Sequence, residues 1–260
     1  MELPLYQIDA FANRVFAGNP AAVCPLKEWL PDETMQAIAE ENNLAETAFF
    51  VPNGDDYDIR WFTPKIEIDL AGHPTLATAY VIFTKLDPSR KDVRFHTNSG
   101  DTLTVSQADG RLSMDFPARS PAPRDGLGDV AGALGAQPAE VLAARDGFAV
   151  FESEKEVRAL APDITKLMAL DVFGLIATAP GATCDFVSRF FAPRAGIPED
   201  PVTGSAHCTL IPYWAGRLGK QEMTARQLSA RGGELYCRLR GDRVDIAGEA
   251  VLYLEGRIFI

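Results

Sequence analysis

Two stretches of this chain bring acids, a glycine and a histidine within a few positions of each other: "EIDLAGHPT", residues 67–75, and "EDPVTGSAH", residues 199–207. A glycine turn that opens a helix presents unpaired amide N–H groups and the positive end of the helix dipole to an anion. Without a Cβ, its backbone can also approach a ligand closely. Gly72–His73 and Gly204–Ser205 are therefore candidate cradles for a carboxylate or phosphate; the alternative is that both are ordinary turns. No G-x-x-x-x-G-K-[ST] occurs, so neither is a P-loop. Of the chain's three histidines, His73 and His207 fall in these turns, where each is either a ligand-polarising group or a satisfied structural side chain. His96, in "VRFHT", reads as structural. Asp200, four residues ahead of Gly204, can cap the turn or orient a histidine. Glu199 and Asp69 read as solvated or structural charges. Glu46 heads the apolar run "TAFFV", where a carboxylate is costly unless it is paired or used. Burial would raise its pKa and suit it to acid–base work near neutral pH, the alternative being an ordinary strand-end carboxylate.

The elements that must position these groups occur twice. "RWFTPK", residues 60–65, and "RFFAPR", residues 189–194, repeat one pattern about half a chain length apart. Each then leads through acids into a glycine turn and an apolar helical stretch, the second copy three residues longer before its glycine. An internal duplication follows. Duplicated halves pack about a pseudo-twofold axis and bind ligands in the cleft between them. "HPTLATAYVIFTKL" is apolar nearly all round, as a helix enclosed by a bent sheet would be. "PDETMQAIAEEN" places Met35, Ile38 and Ala39 on one helical face. Short β-rich runs fill the rest, with helical patterns also read at "PAEVLAARDG" and "SAHCTLIPYWAGRLG". "PARSPAPRDGLGD", residues 117–129, reads as a linker. The expected domains are 1–117, with Glu46 and the Gly72–His73 turn, and 118–260, with Asp200 and the Gly204–Ser205 turn. The last strand is left open to pair back onto the first domain.

Composition bounds the function. With 25 Lys+Arg against 36 Asp+Glu the net charge is −11, which argues against nucleic-acid or acidic-membrane partners. No apolar run approaches the roughly 18–20 residues of a membrane helix, and the first residues lack a signal-peptide pattern. The four scattered cysteines form no C-x-x-C pair and read as reduced thiols of a cytoplasmic protein, with no metal site.

"DAFANRVFAGNPAAVC", "NNLAETAFF", "RWFTPKIEIDLAGHPTLATAYVIF", "EDPVTGSAH", "ARGGEL" and "AGEAVLYLEG" together resemble the PhzF-like family, named for a phenazine-biosynthesis isomerase and akin to diaminopimelate epimerase. The resemblance runs nearly end to end. It implies an α+β fold of two similar domains, each a curled, barrel-like mixed sheet around a central helix, and a homodimer. It also implies a cofactor-independent isomerase that moves a proton between carbons of a small carboxylic acid, as in isomerisation of dihydro-hydroxyanthranilate. In that frame Glu46 is the general acid/base, His73 and Asp200 are its catalytic partners, and Gly72, Gly204, Ser205 and His207 bind substrate. An amino-acid racemase or epimerase on the same fold, or a non-catalytic small-acid binding protein, are the alternatives. The related epimerases use two opposed cysteines at the glycine turns, and this chain has none there.

Overall fold

The computed structural model describes residues 1–260, which divide into two compact units, Met1–Asp115 with Ala247–Ile260, and Phe116–Ile246. The carboxy-terminal segment thus belongs with the first unit, and the division falls at Asp115/Phe116.

In the first unit, β1 (Glu2–Ala10), β2 (Asn19–Pro25), β3 (Glu46–Asn53), β4 (Asp56–Phe62), β5 (Glu67–Ile68), β6 (Asp92–Thr97), β7 (Thr102–Ala108) and β8 (Arg111–Pro117) join the terminal strand β17 (Ala250–Phe259). The sheet runs β17–β1–β2–β3–β4–β6–β7–β8, with β5 lying antiparallel on the end of β4. β2 with β3 and β4 with β6 are parallel and the remaining pairs antiparallel, so the sheet is mixed. Helix α2 (Gly72–Val81, continued by a π-helical turn Ile82–Leu86) touches β17 near one end of this order and β7 near the other. One helix can do so only if the sheet curls around it. The need for a buried flank on every side explains why α2 is apolar all round. On the outer face, α1 (Asp32–Asn42) packs Met35, Ile38 and Ala39 against Phe49, Val51 and Phe62.

The second unit repeats the plan. β9 (Glu140–Ala143), β10 (Gly147–Val150), β11 (Leu175–Pro180), β12 (Phe186–Ala192), β14 (Glu222–Gln227) and β15 (Gly233–Arg240) follow one another in the sheet. β13 (Ile197–Asp200) lies antiparallel on β12, as β5 lies on β4. The parallel pairs again stand two steps apart, β10 with β11 and β12 with β14, as β2 with β3 and β4 with β6 do. Helix α6 (Gly204–Leu218) takes the place of α2, with Tyr213 against Phe148, Trp214 donating to the Thr178 hydroxyl, and His207 beside Phe186. The outer face is covered by α3 (Val130–Leu134), α4 (Glu154–Ala159) and α5 (Ile164–Ala169), through Leu134, Val157 and Leu167.

Two expectations are corrected. "PAEVLAARDG" was expected to be helical, but Glu140–Ala143 is strand β9. Its antiparallel pairing with β10 and a bridge from Ala143 to Ala122 satisfy backbone groups on both edges, which outweighs the helix propensity of an alanine-rich run. Residues 117–129 are not a free linker throughout. Ala118 N–H donates to the Asp242 carbonyl, Arg119 N–H to the Cys208 carbonyl at 2.8 Å, and Ala122 exchanges two bonds with Ala143. The Arg119 bond also accounts for Pro212 inside α6: proline has no N–H for the carbonyl four residues back, and Arg119 supplies it. No helix is long and apolar enough to cross a membrane.

Candidate active site

In the first unit the sequence brings Glu46 and His73 together. Glu46 is the first residue of β3, paired in register with Ala21, whose small side chain leaves the carboxylate room on the α2 side of the sheet. His73 is the second residue of α2, which starts where the β4–β5 hairpin ends. Glu46 is 8% exposed and His73 5%. His73 Nε2 lies 3.1 Å from Glu46 Oε2, in contact but off the line of a good hydrogen bond. On the other side of the ring, Asn19 Nδ2 sits 3.2 Å from Nδ1. With Asn19 Nδ2 as the donor, the proton of a neutral imidazole sits on Nε2, facing the carboxylate. Burial holds His73 neutral by pushing its pKa down to about 3, against a small opposing pull from the Pro20 carbonyl. Asn19, fully buried, was missed in the sequence. The signal for it was an amide side chain just ahead of the apolar run "AAVC".

In the second unit Asp200 closes β13 and is 8% exposed. The Thr203 hydroxyl donates to its Oδ2 at 2.5 Å. Gln227, at the end of β14, completes a closed set. Its Nε2 donates to the Asp200 carbonyl (2.7 Å) and to Thr203 Oγ1 (3.1 Å), while its Oε1 accepts from Thr203 N–H (2.9 Å). Since Gln227 donates to Thr203 Oγ1, the hydroxyl proton is directed to Asp200, which acts as acceptor. Gly204 and Ser205 follow as the first two residues of α6. His207 is fully buried, its Nδ1–H donating to the Thr203 carbonyl at 2.8 Å, and burial lowers its pKa to about 4.

The shared register identifies which residues correspond. Arg60 makes a two-pronged pair with Glu67 (2.7 and 2.6 Å) and lies over Phe62; Arg189 makes the same pair with Glu199 (2.7 and 2.9 Å) and lies over Phe191. Glu199 is thus an ion-pair partner rather than a solvated charge. Trp61 pairs with Ile68 where Phe190 pairs with Asp200, and Phe62 with Thr47 where Phe191 pairs with Leu175. Glu46 therefore corresponds to Gly174, Asp200 to Ile68, and His73 to Ser205. The two turn histidines are not at matching places: His207 corresponds to Thr75, whose hydroxyl makes the same bond, donating to the Ala71 carbonyl at 2.6 Å. His96 bridges Asp56 and Thr102 at 3.2 Å each, a strand-surface role. No cysteine stands at either glycine turn. Burial raises the Cys208 thiol, one turn into α6, to about 11 and Cys24 to about 12, far from a ready nucleophile.

A curled mixed sheet wrapped on one buried helix, built twice, is the architecture of the epimerase-like folds. A hydroxyproline epimerase from Agrobacterium vitis, only 10% identical, superposes with a TM-score of 0.60 over 99% of this chain and 92% of its own, a likeness of fold alone. The chain belongs to the phenazine biosynthesis-like protein family, whose model matches residues 8–256. A PhzF-family protein of Enterococcus faecalis is 46% identical, with a TM-score of 0.97 over the whole of both chains. Among curated relatives, an uncharacterized isomerase of Pseudomonas aeruginosa is 53% identical over all of both chains, and a phenazine biosynthesis-like domain-containing protein of Homo sapiens 38% over 99% of each.

Proposed function

We propose that this protein is an isomerase that transfers a proton from carbon to carbon of a small carboxylic acid, with Glu46 as general acid and base. The observation that carries the reading is the buried Glu46 carboxylate set 3.1 Å from the Nε2 of a neutral, Asn19-anchored His73. A single carboxylate can lift a proton and return it elsewhere, provided a neighbour steadies it in both states. A neutral imidazole with its proton on Nε2 does this without the cost of a second buried charge. The Gly72–His73 amides, and in the second unit Gly204 and Ser205, are the substrate-carboxylate donors, with Asp200 as a fixed acceptor. His207 supports the second turn. The reading includes a cytoplasmic homodimer working without metal or organic cofactor, and neither nucleic acid nor membrane as partner. The phenazine-pathway reaction on dihydro-hydroxyanthranilate is the model for the chemistry, not an assignment of substrate. A racemase or epimerase of amino acids is the second reading. The buried, high-pKa Cys208 speaks against its two-thiol form.

The test is proton exchange in D2O with dihydro-hydroxyanthranilate and a panel of small unsaturated and amino acids, followed by NMR. Uptake of deuterium by one compound, lost in Glu46→Gln, is expected. Exchange that persists at full rate in Glu46→Gln overturns the mechanism. Inversion at one carbon in place of a shift selects the epimerase reading.

A further inference from the structure

Strand β17 has no buried residue along its length. β1 pairs along one edge of it, with a bulge where the register shifts between Gln7 and Ile8. From Leu254 to Ile258 the pairing is regular, so Leu254, Gly256 and Ile258 share the face that Leu3 and α1 occupy, and Glu255 and Arg257 take the other. The strand leaves Tyr253, Leu254 and Phe259 47%, 40% and 77% exposed. That is the surface of a sheet edge, which presents main-chain N–H and C=O groups for another strand to take up. The apolar surface runs on to either side. A cavity of about 590 Å³ lies between Thr34, Ala37 and Ile38 of α1 and Ile258, Phe259 and Ile260. Along the edge, the exposed Phe16 ring stands edge-on to Tyr253, their centroids 5.6 Å apart.

Charge decides what covers this edge. Residues directly opposite each other in an antiparallel pair share a face, so a two-fold axis that pairs β17 with a second β17 must pass through a residue. An axis at Glu255 sets two carboxylates opposite each other, and one at Arg257 sets two guanidiniums; like charges so placed repel. An axis at Leu254 or Ile258 leaves both charges without an opposite. An axis at Gly256 places Glu255 of each copy opposite Arg257 of the other, Leu254 opposite Ile258, and glycine opposite glycine. Leu254 of the second copy then lies beside Ile258 at the α1 cavity, and the oppositely charged pair, two residues apart, is self-complementary.

We propose that β17 is a homotypic interface, to which a second copy of this chain adds its own β17 antiparallel about Gly256, continuing the sheet. The inference gives the homodimer of the proposed function its surface, and it rests on that part of the reading and not on Glu46.

Sedimentation of the full chain over a wide concentration range measures the dimer. Arg257→Glu and Glu255→Arg are each expected to raise its dissociation constant about tenfold or more, because each sets like charges opposite each other twice per dimer. Both side chains are exposed, 70% for Arg257 and 49% for Glu255, so the fold is expected to hold. Within its own chain Arg257 pairs with Glu2 and Glu255 with Lys85. The double reversal cannot restore those pairs, yet it is expected to restore association, since across the two-fold it only exchanges the signs. Gly256→Cys is expected to cross-link two copies under mild oxidation, read on non-reducing gels, and Tyr253→Cys is not. A chain that stays monomeric at every concentration overturns the interface together with the homodimer. A dimer that the single reversals leave unchanged, or that the double reversal leaves as weak as the singles, overturns the interface alone. Carbon-proton exchange in Glu46→Gln reports separately on the catalysis.

Discussion

His207 makes the pH dependence of stability calculable. Its ring is enclosed by Phe186 and its own helix, its one hydrogen bond goes to a carbonyl, and its other nitrogen has no partner. Burial holds the folded-state pKa at about 4, against about 6.5 in an unfolded chain. The folded state thus resists a proton that the unfolded state accepts. The stabilisation is complete above pH 6.5, falls as pH drops below that value, and is gone near pH 4. At about 1.4 kcal/mol per pH unit of separation, the loss across this window is about 3 kcal/mol. His73, with a pKa pushed to about 3, adds a loss of the same sign that extends lower. The variant that isolates His207 is His207→Asn, whose side-chain N–H can reach the Thr203 carbonyl while carrying no titrating group. Urea unfolding at pH 7, 5 and 4 measures both proteins, and the carboxylates they share cancel in the difference. The wild type is expected to lose about 3 kcal/mol more than the variant between pH 7 and 4, whatever the variant costs at pH 7. Equal losses would refute the argument, since they would mean that His207 takes up its proton as readily folded as unfolded.

Further outcomes follow from the same contacts. Glu46→Gln is expected to reduce carbon-proton exchange by roughly two to four orders of magnitude with little change in thermal stability, read by deuterium uptake and calorimetry. Gly174→Ala drives a Cβ into the Phe190 ring and is expected to cost about 1–3 kcal/mol in urea unfolding, partly recovered by Phe190→Leu in the double variant. Arg189→Met breaks the pair with Glu199 and two bonds to the carbonyls of Val157 and Leu160; a loss of roughly 2 kcal/mol or more is expected in the same assay. Thr203→Val removes the hydroxyl that donates to Asp200 while keeping the shape. It is expected to lower exchange activity and leave the fold intact, and Thr203→Ser is expected to restore activity.

The sequence was most legible where one residue pattern has one physical solution. An apolar-all-round helix after a glycine demands enclosure, and α2 and α6 are enclosed. "RWF" and "RFF" recur because each arginine must reach a carboxylate one short strand away while covering an aromatic ring. The failures have one cause. Alanine-rich "PAEVLAARDG" has helical propensity, but its partners, β10 and Ala122, lie far along the chain and cannot be seen locally. Both histidines fall in glycine turns, but His73 stands one residue after Gly72 and His207 three after Gly204, where strand register shows His207 doing the work of Thr75. Asn19 and Gln227 were missed for a related reason: an amide's value lies in what it meets, and both meet residues distant in sequence.

The register also shows how a duplicated scaffold comes to hold unlike groups. What recurs in both units is supporting chemistry: the two-pronged Arg–Glu pair, the ring beneath the guanidinium, and the side-chain donor bonded to the carbonyl at the helix start. What does not recur is every acid proposed to meet a ligand. Glu46 faces Gly174 in the correspondence, and Asp200 faces Ile68. Each replacement is small or apolar, so no acid has been left behind uncompensated in the other copy, where it would carry the desolvation cost of a buried charge without use. A chain free to keep symmetric acids would require two balanced centres. This one instead gives the first unit a carboxylate set against a neutral histidine and the second a carboxylate fixed as acceptor by Thr203 and Gln227. That asymmetry is the arrangement a one-base proton transfer needs, and it is opposed to the matched pair of groups that a two-base inversion uses.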